Sequence, residues 1–221
     1  MITQQAIEQF KQIRTPFYYY DMAMLRRTLE LYKEQTNEYG YKAHYAVKAN
    51  SDRRILALVK EFGLGADCVS GGEVALALEL GFDPESIVFA GVAKTDEEIL
   101  LALDAGIGCF NCESIQEIER IDELAWEKGC RARVAVRVNP DVDAKTHRYI
   151  STGNEEDKFG ISRHAFQELV GVLKSSQSIK FTGIHLHVGS QITDMRVFKE
   201  TCIRALEIEE QFNNAGLQVL N

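Results

Sequence analysis

Lys48 ends the run His44-Tyr45-Ala46-Val47-Lys48-Ala49-Asn50, where a short β-prone stretch gives way to a helix-starting Asn-Ser-Asp. A lysine that ends a strand under an apolar layer is suited to covalent carbonyl chemistry. Desolvation disfavours the ammonium and lowers its pKa, and the neutral amine can form a Schiff base. The competing reading is a solvated surface charge, so the case depends on what else reaches the same face.

Three other strand-end segments carry chemistry. In Asp67-Cys68-Val69-Ser70-Gly71-Gly72-Glu73, an N-cap and a capping box account for Ser70 and Glu73. Asp67 is placed to bias a neighbouring lysine or imidazole. His185-Leu186-His187-Val188-Gly189-Ser190-Gln191 sets two imidazoles two apart, on one side of a strand. They suit a metal pair, a flat ring lying on a bound heterocycle, or a hydrogen-bonded buried pair. Gly189 and Ser190 add an uncrowded amide and a hydroxyl for an anion. Arg137-Val138-Asn139-Pro140 brings an arginine that could pair with Asp67, Glu73 or a substrate carboxylate. The polar loop 141–157 has a length common among functional lids. Cys109 and Cys112 have the C-x-x-C spacing, but the sequence holds no second pair for zinc. Two ordinary strand-end thiols are the simpler reading.

Such residues need a frame that gathers strand ends. Strands are expected at 17–20, 43–47, 66–69, 87–90, 109–111, 133–138, 183–188 and 217–220. Helices are expected at 22–38, 51–62, 72–80, 96–105, 114–128, 162–174 and 196–215. In the helix at 114–128, Ile115, Ile118, Ile121, Leu124 and Ala125 recur at three- or four-residue steps among acids and an arginine. Alternating strand and helix means parallel βαβ units. No G-x-G-x-x-G follows the first strand, which weakens a dinucleotide-binding sheet. Lys48, Asp67, Arg137 and His187 at several strand ends suit a (β/α)8 barrel, whose site is assembled at one face. Such a barrel takes about 250 residues. The 221 residues here are therefore expected to be the front part of a longer protein, cut before the last barrel strand.

Composition narrows the classes. Hydrophobic residues make up 45% and charged residues 26%, as in globular chains that bury a sizeable core. The net charge is −8 with no block of lysine and arginine, which argues against nucleic acid as a partner. No apolar run is long enough to span a membrane. Five cysteines and no export signal point to the cytoplasm.

With these motifs assembled, the chain resembles the fold-type III pyridoxal-phosphate-dependent decarboxylases, and within them the branch that acts on diaminopimelate. The resemblance runs through 16–21, 45–50, 67–73, 137–143, 147–153, 158–161 and 187–191 in order. The segment Tyr149-Ile150-Ser151-Thr152-Gly153 points to the diaminopimelate branch, with Arg148 in place of its common proline. The resemblance implies a barrel of the alanine racemase-like kind, followed by a C-terminal β-domain. Residues 1–22 would be a strand and lead-in packed on that domain, and 23–221 an incomplete pyridoxal-phosphate-binding barrel. It implies that Lys48 holds the cofactor as a Schiff base and that His187 stacks on its ring. Ser190 and Gly189 would contact phosphate, Asp67 would lie near the Schiff base, and Arg137 and Glu73 would support the site. The implied reaction is decarboxylation of meso-2,6-diaminopimelate to L-lysine with release of carbon dioxide, in a cytoplasmic homodimer with no resident metal. The 221-residue form alone is expected to have little or no activity. The alternatives are a basic amino-acid decarboxylase for ornithine, arginine or carboxynorspermidine, a metal-dependent barrel hydrolase using His185 and His187, and a non-catalytic pyridoxal-phosphate-binding relative.

Overall fold

The computed structural model describes residues 2–140 and 159–220. It divides into two units, Met1–Tyr41 and Lys42–Asn221. The first holds helices α1 (Gln4–Phe10) and α2 (Met22–Tyr39), the latter capped by Asp21, which accepts from the Met24 amide. Helix α1 was not anticipated, and the strand expected at 17–20 does not form. Phe17 and Tyr19 pack on Phe10 at 5.4 and 4.9 Å between ring centroids, while Tyr18 and Tyr20 stack on each other at 6.4 Å. The side chains alternate as in a strand, yet among the described residues no neighbouring strand completes a ladder.

The second unit is α/β. Its elements are β1 (His44–Ala46), α3 (Arg53–Glu61), β2 (Gly65–Cys68), α4 (Gly71–Glu79), β3 (Ile87–Phe89), α5 (Asp96–Ala105), β4 (Cys109–Cys112), α6 (Ile115–Glu127), β5 (Ala132–Arg137), α7 (Phe166–Ser175), β6 (Ile179–His185) and α8 (Met195–Asn214). The six strands pair in chain order, all parallel. Parallel neighbours require crossovers, and the helices supply them. Ala66, Cys68, Ile87, Phe89, Phe110, Cys112, Val134 and Val136 are buried at alternate strand positions. Helix stripes also bury: in α6 they are Ile115, Ile118, Ile121, Leu124 and Ala125, the five residues its spacing singled out.

Two strand expectations are corrected. Strand β6 runs over Ile179–His185 rather than 183–188, with a bulge: Val134 pairs with Phe181, but Ala135 pairs with Gly183. The extra residue, Thr182, turns its hydroxyl onto the Val134 carbonyl at 3.1 Å. At 217–220 there is no strand, though the Leu220 amide donates to the Thr182 carbonyl of β6.

Six parallel strands in chain order, each followed by a helical crossover, are the arrangement of a (β/α) barrel wall, whose strand carboxyl ends face one rim. Among the described residues, no helix is long and apolar enough to cross a membrane.

Candidate active site

Lys48 does not end β1 but sits in a 3-10 turn, Val47–Ala49, closed by the Asn50 amide on the Val47 carbonyl. Successive side chains in such a turn point about a third of a revolution apart. Val47 is thus fully buried and Lys48 exposed, which corrects the expectation of a lysine beneath an apolar layer. Asn50 then accepts from the Asp52 amide, and Asp52 caps α3. Among the described residues, no hydrogen bond or ion pair engages Lys48 Nζ.

Asp67 lies in β2 beside Ala46 of β1. Burial raises its carboxyl above the ordinary value, the Lys48 charge opposes this, and Glu73 adds to it. Ser70 caps α4 as expected. Glu73 reaches one residue further back than a capping box: its Oε2 accepts from the Val69 amide at 2.8 Å. It therefore fixes the β2–α4 turn.

Arg137, the last residue of β5, pairs with neither Asp67 nor Glu73. Its Nη1 donates to both oxygens of Glu113 at 3.0 Å, and the side chains are 8% and 4% exposed. Glu113 was not foreseen. Phe159 lies over the guanidinium, 5.5 Å from ring centroid to Cζ. Gly160, at φ +89°, permits this approach: a Cβ there would stand 2.6 Å from Asn139 Oδ1 and 3.2 Å from Arg137 Cγ. Also unforeseen is Lys94, 1% exposed, which donates to Glu117 at 2.6 Å and to the Gly91 and Asn111 carbonyls.

His185 is the last residue of β6, in register with Arg137. Burial, followed by the Arg137 charge, holds its pKa down to about 4. His187 lies beyond the strand, so the two histidines do not share a strand face. Burial, then Arg137 and Lys48, lower His187 also, while Glu113 acts the other way. Gly189 (φ +138°) and Gln191 (φ +58°) flank Ser190, which is exposed in the turn before α8. Turns of this kind present amides to anions.

Lys48, Asp67, Arg137, His185 and His187 are thus brought to one rim by β1, β2, β5 and β6. The motif at 147–153 lies outside the described residues. Three buried polar atoms here, Arg137 Nε, Asn139 Oδ1 and His185 Nδ1, have no hydrogen-bond partner among the described residues. Buried polar atoms are otherwise nearly always paired, so the rim suits a polar ligand. An aromatic aldehyde bearing an anionic group fits its donor set: an unengaged amine, an imidazole neutral at neutral pH, and a glycine turn. Among the described residues, no group of three or more His, Cys, Asp or Glu side chains is placed to hold a metal.

The chain is similar to known proteins over most of its length. Residues 22–220 match the family model described as pyridoxal-dependent decarboxylase, pyridoxal binding domain. Diaminopimelate decarboxylase of Bacteroides thetaiotaomicron is 48% identical over 206 residues, which are 93% of this chain and 53% of that protein. The crystal structure of diaminopimelate decarboxylase from Helicobacter pylori complexed with L-lysine superposes with a TM-score of 0.88 at 38% identity, over 96% of this chain and 54% of that one. The diaminopimelate decarboxylase of M. jannaschii, also in complex with L-lysine, gives 0.84 at 34% identity, over 97% and 51%. The chain spans about half the length of the curated relatives it matches.

Proposed function

The chain belongs to the pyridoxal-dependent decarboxylases, through their pyridoxal-binding domain, and on that premise we propose that it forms the barrel portion of a decarboxylase converting meso-2,6-diaminopimelate to L-lysine and carbon dioxide. The observation that carries this reading is the placement of Lys48. Its amine is unengaged among the described residues, yet close enough to Asp67, His185 and His187 to perturb all three. The relatives at 48% and 38% identity, both diaminopimelate decarboxylases, support the choice of substrate.

The chemistry that bound pyridoxal phosphate supplies is an aldehyde carbon for an amine and a conjugated sink for the electron pair of a breaking Cα–carboxylate bond. The chain's own residues do the rest. Lys48 Nζ would hold the group, after giving up a proton. The Asp67 carboxyl, made more basic by burial and close to Lys48, is placed to take it. Burial, then the Arg137 charge, favour the uncharged form of His187, whose ring offers a flat face for an aromatic group. Gly189 and Ser190 would supply an amide and a hydroxyl to its phosphate. The Arg137 guanidinium is paired to Glu113 through Nη1, and its buried Nε, unpartnered among the described residues, could serve an acceptor. Glu73 holds the turn behind Asp67. The orientation these residues impose on a bound substrate would decide which of its bonds is activated.

The same reading includes a homodimer in the cytoplasm, with residues 1–22 leading in to the barrel portion and packing on a C-terminal β-domain. The test is to add pyridoxal phosphate, reduce with borohydride, map the modified peptide by mass, and assay lysine formed from diaminopimelate. An adduct confined to Lys48, together with lysine release, is expected. No specific adduct would overturn the cofactor site. An adduct with no turnover of diaminopimelate but turnover of ornithine or arginine would overturn the substrate.

A further inference from the structure

We propose that Glu113 is a positioning residue that fixes the Arg137 guanidinium at the rim and offsets its charge beside His185 and His187. Glu113 stands between the end of β4 and Ser114, the N-cap of α6. Both its oxygens accept from one nitrogen of Arg137, and among the described residues the buried Nε has no partner.

Glu113 is itself held. Its amide donates to Glu117 Oε2 at 2.8 Å, and Glu117 Oε1 accepts from Lys94 at 2.6 Å. Lys94, Glu117, Glu113 and Arg137 form a buried line of charge across the carboxyl ends of β3, β4 and β5. The Phe159 ring also lies against the guanidinium.

Stability alone does not account for this arrangement. A buried ion pair contributes no more than a well-packed apolar pair of similar volume, and an orphaned Nε adds cost. The arrangement does hold a positive charge beside two imidazoles, in one place and at reduced strength. The charged groups acting on His187 are Arg137, Lys48 and Glu113; those acting on His185 are Arg137, His187, Lys94 and Lys48. Of these, Glu113 is the anion.

The inference rests on the proposed function for what the positioned group serves, but its test needs no cofactor. The His187 ring is titrated by NMR in the cofactor-free protein, for wild type, Glu113→Gln and Glu113→Asp, with pyridoxal phosphate affinity measured alongside. In Glu113→Gln the His187 midpoint should fall, because the anion that opposes the Arg137 and Lys48 charges is gone. In Glu113→Asp, which keeps the charge but draws it back, the midpoint should lie between the other two. Cofactor affinity should fall and partly recover in the same order. A folded Glu113→Gln protein with an unmoved His187 midpoint overturns the proposal, whatever happens to affinity. If Glu113→Gln does not fold, a wild-type midpoint in Glu113→Asp overturns it. Absence of a Lys48 adduct in wild type would count against the proposed function instead and would leave this titration intact.

Discussion

Replacing Lys94 with Met should be among the most damaging single changes in the barrel portion. The Lys94 side chain is 1% exposed and its partner Glu117 11%. Three acceptors surround Nζ: Glu117 Oε1 at 2.6 Å, the Gly91 carbonyl at 2.6 Å and the Asn111 carbonyl at 3.2 Å. Met fills nearly the same space, so the cavity term is small and the cost is electrostatic. Removing one partner of a buried pair costs about 3–5 kcal/mol, because the other charge stays buried and unpaired. For a unit of this size, that is a drop of about 6–20 °C in Tm. The partner change separates charge from shape. In Lys94→Met/Glu117→Gln the amide oxygen still accepts from the Glu113 amide, and the new NH2 can donate to a vacated carbonyl. The double variant should therefore recover about half of the loss. Urea unfolding of the three proteins measures this, with a common slope as the check on two-state behaviour. A Lys94→Met loss below about 1 kcal/mol, typical of an exposed pair, would refute the reasoning.

Two further outcomes follow from the rim. His185 has a folded pKa of about 4 against an ordinary 6.5, so the unfolded chain takes up its proton first. Its contribution is intact above pH 6.5, is lost as pH falls from 6.5 to 4, and changes no further below; the loss is about 3 kcal/mol. Denaturation at several pH values should show that slope in wild type and a shallower one in His185→Asn; equal slopes would refute it. Gly160→Ala places a Cβ 2.6 Å from Asn139 Oδ1 and 3.3 Å from the Arg137 carbonyl at φ +89°. It should cost roughly 1–3 kcal/mol and weaken pyridoxal phosphate binding; an alanine variant of wild-type stability and affinity would show that Phe159 does not depend on this approach.

What the sequence disclosed is what short-range pattern encodes. The Ile stripe of α6 repeats every three or four residues, and all five of its expected positions are buried. Lys48, Asp67, Arg137, His185 and His187 fall at or just past strand ends, which in a parallel fold face one rim. The errors came where local pattern and tertiary context part. The bulge at Thr182 depends on β5, so the β6 boundary was misplaced by several residues. The β-prone run before Lys48 gave no sign of the 3-10 turn that exposes it. The aromatic run at 17–20 has strand propensity without a partner.

The partners of the site residues were missed for a different reason, and that reason suggests a rule. Glu113 and Arg137 are 24 residues apart, Lys94 and Glu117 23, Asp96 and Arg120 24, and Arg53 and Glu79 26. Each separation is close to one βα unit of this chain. Parallel strands in register bring equivalent positions of successive units side by side, so side chains one unit apart meet at the rim or on the helix layer. A window of helical or strand length cannot see such pairs. Once the alternation of strand and helix is recognised, though, the repeat length itself becomes a search offset. Applied to Arg137, an offset of one unit back reaches the acid just before Ser114, in a Ser-x-x-Glu turn that repeats the Ser70–Glu73 turn. In both turns the glutamate accepts from the amide preceding the serine. In the second turn that preceding residue is an acid, and this one difference converts a structural cap into a grip on the guanidinium.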